Sequence, residues 1–150
     1  MKTKSKIILA LALIGIASVV AHLYLQSQVY YPVVRLALPD GLSITAVLPE
    51  TKERNGCTKA NERFVAPFKQ CKDCKIMDTR CDRRLDGFEL AMRQGAPVPH
   101  PMVVAQELRI AVMGPPEAAK ASCQLIAADM AAKGMKSAKC VPPQPLAPKS

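Results

Sequence analysis

All six cysteines of this chain, Cys57, Cys71, Cys74, Cys81, Cys123 and Cys140, lie beyond an apolar run at its start. That order constrains the fold more than any other feature. Lys2, Lys4 and Lys6 precede the run, Ile7–Leu25, in which only Ser18 and His22 are clearly polar. Its 19 residues would rise about 28 Å as a helix, close to the ~30 Å of a bilayer hydrocarbon core. The next charge after the run is Arg35. Basic residues on one side only predict Met1 in the cytoplasm and the bulk of the chain outside it. There, cysteines in a small domain become staples.

The run reads in two ways. As a retained anchor it continues through Leu23, Tyr24 and Leu25, with Tyr24, Tyr30 and Tyr31 placed for the membrane interface. As a cleaved signal peptide it would end at Val19-Val20-Ala21, with the cut before His22. No cysteine follows the run closely, which argues against a lipid anchor. The anchor is the favoured expectation. It makes the membrane the first partner and places a single-pass protein in a bacterial inner membrane, with a periplasmic C-terminal domain. The signal peptide would instead release the domain into the periplasm. The expected organisation is residues 1–28 as stub and anchor (or signal), 29–141 as an exported disulfide-rich α+β domain, and 142–150 as a Pro-rich tail.

Size and composition sharpen this. About 125 exported residues support one domain with a modest core. There is no Trp, with 3 Phe and 3 Tyr, so large anchors are scarce and cross-links matter more. The formal charge is +9, of which the three N-terminal lysines carry +3, leaving +6 outside. That surplus suits an anionic cell-wall polymer or lipid head groups, or is a solvated basic surface. Nucleic acid is excluded as a partner by compartment and by the scarcity of stacking aromatics.

Along the exported chain, Pro39-Asp40-Gly41 is a turn signal between two β-branched runs, predicting a hairpin of Tyr31–Leu38 with Ser43–Leu48. Residues 50–84 show poor apolar periodicity and four cysteines. They read as an irregular, cross-linked excursion. Asp86–Arg93 predicts a short helix stopped at Gly95, and Gly95–Pro101 an extended connector. Residues 107–141 read as a βαβ-like unit. A strand at Leu108–Met113 leads through Gly114-Pro115-Pro116-Glu117 into an Ala-rich helix, 118–133. Lys133-Gly134 stops the helix, and Ser137–Val141 returns as a strand. The fold class is therefore α+β: an N-terminal transmembrane helix, then a small disulfide-stabilised domain with a β-hairpin and a C-terminal βαβ-like unit.

Six cysteines allow 15 pairings. Cys123 on the helix and Cys140 on the following strand predict one bridge. The other four have three possible arrangements, with Cys57–Cys81 or Cys57–Cys74 preferred. Cys71-Lys72-Asp73-Cys74 is also the spacing of a redox pair, with Lys69, Lys72 and Lys75 nearby to acidify a thiol. A four-thiolate zinc site from Cys57, Cys71, Cys74 and Cys81 is the third reading. Export favours ordinary disulfides over both, so no metal and no cofactor are expected. His100 sits between two prolines, and no phosphate loop, metalloprotease helix or nucleophile elbow occurs. Asp78, Asp82 and Asp86 recur every fourth residue among Arg80, Arg83 and Arg84. They read as salt-bridged surface, on a helix face if helical.

Arg109-Ile-Ala-Val-Met-Gly114-Pro115, Glu117-Ala-Ala-Lys120, Met130-Ala-Ala-Lys-Gly134 and Ala138-Lys-Cys-Val141 carry a resemblance. Residues 108–141 resemble the second half of a SPOR domain, the peptidoglycan-binding module of bacterial envelope and division proteins. The resemblance implies strand, Gly-Pro, Ala-rich helix and returning strand, single-pass anchoring, and a glycan ligand. It transfers no binding residue. The combined expectation is a non-catalytic, membrane-tethered envelope accessory protein that binds a protein or cell-wall glycan. The alternatives are a thiol–disulfide oxidoreductase or redox sensor using Cys71 and Cys74, and a structural subunit of an inner-membrane assembly.

Overall fold

A computed structural model describes residues 15–22, 24 and 28–145. Among the described residues six strands form one sheet: β1 Tyr31–Ala37, β2 Ser43–Val47, β3 Lys75–Asp82, β4 Met102–Ala105, β5 Leu108–Met113 and β6 Lys139–Val141. The order is β3-β1-β2-β5-β4-β6, with every neighbouring pair antiparallel. Three helices pack on it: α1 Arg54–Val65, α2 Gly87–Gln94 and α3 Pro116–Ala132.

The expected transmembrane helix is corrected. Residues 15–22 and Tyr24 are helical. Among the described residues no helix is long and apolar enough to cross a membrane. Residues 7–14, 23 and 25 of the expected span, and 146–150 of the tail, lie outside the described residues.

The β1–β2 hairpin turns through a single 3-10 turn, Pro39–Gly41, with Asp40 at φ 61° and Gly41 at φ 72°. Both positive dihedrals suit the residue types, since Asp tolerates and Gly prefers that region. The register pairs Val34 with Ala46 and Leu36 with Ile44. Alternation then sends Val34, Leu36, Ile44, Ala46, Ile110 and Val112 to one face, against α1 and α3. Val33, Val47, Met102 and Ala111 go to the other, against Leu85 and Met92 at α2.

The segment read as an irregular excursion is regular. It contains α1, a 3-10 helix at Ala66–Gln70, and β3. As a result residues 31–82 and 102–141 each run hairpin, helix, returning strand, and each third strand pairs with the first strand of its own hairpin. A shift of 66 residues, from Leu42 to Leu108, also superposes Ile44 on Ile110, Pro49 on Pro115 and Cys57 on Cys123. The sheet obeys the same relation. Thr45 pairs with Ala111, while Ile44 pairs with Val112 and Ala46 with Ile110, so a pseudo-two-fold axis passes through the β2–β5 seam. The C-terminal crossover also differs from a simple βαβ unit, because β4 lies between β5 and β6.

Gly114 is required where the halves meet. Its φ is 141°, and a Cβ there would stand 2.9 Å from Leu42 Cδ2 and 3.0 Å from the Gly41 carbonyl.

Candidate functional site

The sequence places one cysteine on each long helix and one on each outer strand, and the structure joins them. Cys57 on α1 bonds Cys81 on β3, and Cys123 on α3 bonds Cys140 on β6. β3 and β6 are the two edges of the sheet. Each bridge therefore holds its helix over an outer strand. α1 packs mainly on β1 and β3, and α3 on β4, β5 and β6. The β2–β5 seam between the helices is left as the floor of a groove.

This groove has a volume of about 630 Å³ and is lined almost wholly by apolar side chains. Leu38, Ile44, Leu108 and Ile110 come from the sheet. Phe64 from α1 and Pro67 and Phe68 from the 3-10 helix form one wall, with the two rings 5.9 Å apart. Leu125, Ile126, Met130 and Met135 form the other. Leu125 is 71% exposed in the middle of α3. Arg63, Asp129 and Lys133 mark the rim, the last two joined by a 2.7 Å ion pair. Small residues explain how α3 seats so closely: Ala119, Cys123 and Ala127 face the sheet and are buried. The large side chains of the helix then fall beside the seam. Methionine and aromatic side chains adapt to varied apolar partners, and concave apolar surface of this kind is the usual form of a binding site.

Cys71 and Cys74 bond each other in an exposed turn, so the pairing among the four central cysteines is Cys57–Cys81 with Cys71–Cys74. Cys57–Cys74 does not form, and no four-thiolate site is assembled, because all four sulfurs are bonded in pairs. Among the described residues no group of three or more His, Cys, Asp or Glu side chains is arranged for a metal. The pair follows the 3-10 helix and opens into a strand, Cys71 donating its N–H to the Phe68 carbonyl. A thiolate there gains nothing from a helix N-terminus, the feature that acidifies redox pairs of this spacing. His100 packs edge-on against Phe88 of α2 at 5.9 Å between ring centroids.

The acidic and arginine repeat lies on a strand instead of a helix. Asp78, Arg80 and Asp82 share one face of β3, and Arg80 bonds Asp82 at 2.5 Å, Asp78 at 2.7 Å and Glu89 of α2 at 2.8 Å. Arg35 of β1 also bonds Glu89, which is 4% exposed. Burial pushes the Glu89 carboxyl upward, but the hydrogen bonds from Arg35 and Arg80 outweigh it and hold the group below the usual carboxylate range. Burial likewise opposes the Arg80 charge, and its three carboxylate partners outweigh that and raise its pKa. This cluster docks α2 on the sheet.

Sequence reasoning missed Phe64 and Phe68 as groove walls, because they belong to a segment read as irregular. It missed Leu125 because that residue lies beside the buried stripe of α3. The available signal was the residue itself, a leucine off the apolar face of an otherwise Ala-rich helix.

No protein-family model, no curated protein and no solved structure matches this chain.

Proposed function

We propose that this is an exported, non-catalytic binding module of a bacterial envelope, and that the groove over the β2–β5 seam holds an apolar segment of a partner protein. The observation that carries the reading is the continuous apolar lining of that groove with Leu125 left 71% exposed. A monomeric surface rarely leaves such a patch unless something covers it. Export is supported by the cysteines: all six are bonded, the state of thiols in an oxidising compartment such as the periplasm. An apolar groove suits a protein segment better than a polyhydroxylated glycan, whose hydroxyls would lose water without gaining partners.

The test is a photo-crosslinking residue at position 125, with one at exposed Glu117 as control. A discrete protein adduct from position 125 alone is expected, and Leu125→Asp is expected to weaken the isolated complex at least 10-fold. Equal adducts from both positions would refute the reading. A cell-wall polymer is the second reading, favoured by the SPOR-like pattern of residues 108–141 and the formal charge of +6 that remains without the three N-terminal lysines. Sedimentation with purified sacculi at low salt tests it, and an unbound protein removes it.

A further inference from the structure

We infer that the outer edge of β3, with the groove between it and α1, takes an extended acidic segment of a partner protein as an added strand. This goes beyond the seam groove and does not depend on it, since the two grooves flank opposite sides of α1. Among the described residues β3 ends the sheet and pairs only with β1. Between β3 and α1 runs a groove of about 530 Å³, lined by Arg54, Asn61, Val65, Lys69, Ile76 and Thr79 among others.

Asn61 is the telling residue. It is 5% exposed and sits on the stripe of α1 that faces the strand. Its Nδ2 donates to the main-chain carbonyl of Arg80 at 2.9 Å. Its Oδ1 is buried with no hydrogen-bond partner among the described residues. Buried acceptors are almost always satisfied, so an orphan one asks for a donor. The side-chain amide takes up a carbonyl of the strand, and its own oxygen, closed to solvent in the free protein, is reached when α1 and β3 part slightly around an incoming strand. An N–H of an incoming strand fits that role.

The charges of β3 leave its edge open, and only the bulge at Met77 interrupts it. Open edges are normally blunted by charged side chains or bulges. On β3, however, Asp78, Arg80 and Asp82 are drawn toward α2 by their ion pairs with one another and with Glu89. What the start of the strand presents is apolar. Ile76 is 39% and Met77 63% exposed, and Met77 falls outside the ladder, where Arg35 pairs with Asp78 and Leu36 with Ile76. Arg54 and Lys69 line the groove against the lone acid Glu62, and Lys75 opens the strand. That balance selects acidic side chains alternating with apolar ones, the pattern a strand uses to face a groove on one side and solvent on the other.

The probe is a blocked heptapeptide alternating valine and glutamate, titrated into the full 15N-labelled chain at low salt, with a valine–lysine peptide as control. Shift changes are expected at Ile76–Arg80 and at the Asn61 side-chain amide, for the acidic peptide only. Asn61→Ala should weaken binding about 10-fold. Ile76→Lys, at a partly exposed position, should abolish it without moving the unfolding midpoint, and it carries the test if Asn61→Ala does not fold. Shifts confined to the seam groove, equal binding of both peptides, or no shift at millimolar peptide would overturn the proposal. So would a dimer in sedimentation that Ile76→Lys dissociates, because a second copy would then be the occupant.

Discussion

Removing the three disulfides one at a time tests whether the two helix-to-edge bridges hold the fold while the third does not. Cys57–Cys81 closes a separation of 24 residues, Cys123–Cys140 one of 17, and Cys71–Cys74 one of 3. On the chain-entropy relation these correspond to about 3.4, 3.1 and 1.6 kcal/mol at 25 °C. The bridges also differ in surroundings. Cys57 and Cys123 are fully buried, so Ala, not Ser, should replace them, sparing a buried hydroxyl. The paired Ala variants should lower the urea midpoint strongly for the two long bridges and weakly for Cys71/Cys74. With a slope of ~1.5 kcal/mol per molar, the long bridges are each worth roughly 2 M and the short one about 1 M. The two long-bridge variants should agree within ~0.5 kcal/mol if the two halves are energetically equivalent. A Cys71→Ala/Cys74→Ala loss equal to or above the others would refute the reasoning. It would mean that the exposed turn stabilises the native state through contacts and not through the unfolded chain.

Two further outcomes follow from the packing. Glu89→Gln leaves Arg35 and Arg80 without their buried carboxylate partner and should cost about 2–3 kcal/mol in chemical denaturation, with Arg80→Ala less than additive on top of it. Because the folded Glu89 pKa is depressed, its contribution is present above the pKa of an unfolded glutamate and is lost as pH falls through the lower folded value. Wild type should therefore lose stability on acidification more steeply than Glu89→Gln, and parallel pH curves would contradict the assignment. Gly114→Ala should cost about 2 kcal/mol, since the new methyl meets Leu42 and the Gly41 carbonyl at a φ that L residues rarely adopt. An unchanged melting temperature would show that the β1–β2 turn can shift to admit it.

The parts of this fold that could be read in the sequence are those where local chemistry and burial agree. Pro39-Asp40-Gly41 marks a turn by its own dihedral preferences, and the flanking runs form β1 and β2. The helix at Gly87–Gln94 stops at Gly95, in the left-handed region at φ 69°. Pro116 and Gly134 bracket α3. Cys123 and Cys140 could be paired because the helix and strand that carry them are adjacent in sequence. Where burial comes from elsewhere, the pattern was silent. α1 buries only Cys57, Asn61 and Val65, and β3 has no fully buried residue. One face of β3 is satisfied by ion pairs instead of apolar contacts, so neither helical nor strand periodicity shows.

The sequence by itself determined the covalent logic: six cysteines in an even number, one turn, and a C-terminal strand–helix–strand whose bridge is local. Only the tertiary structure decided that the middle of the chain repeats the C-terminal half, that Cys57 chooses Cys81, and that the two helices stand apart. The physical reason is range. Turn and cap preferences act over a few residues. Which strand becomes an edge, and how the two halves join, depends on pairings dozens of residues apart, such as Ala37 with Lys75 and Val47 with Arg109. The seam groove exists because of those distant pairings, whereas the groove between α1 and β3 is built from residues 54–81 alone and still needs β1 to hold β3 in place.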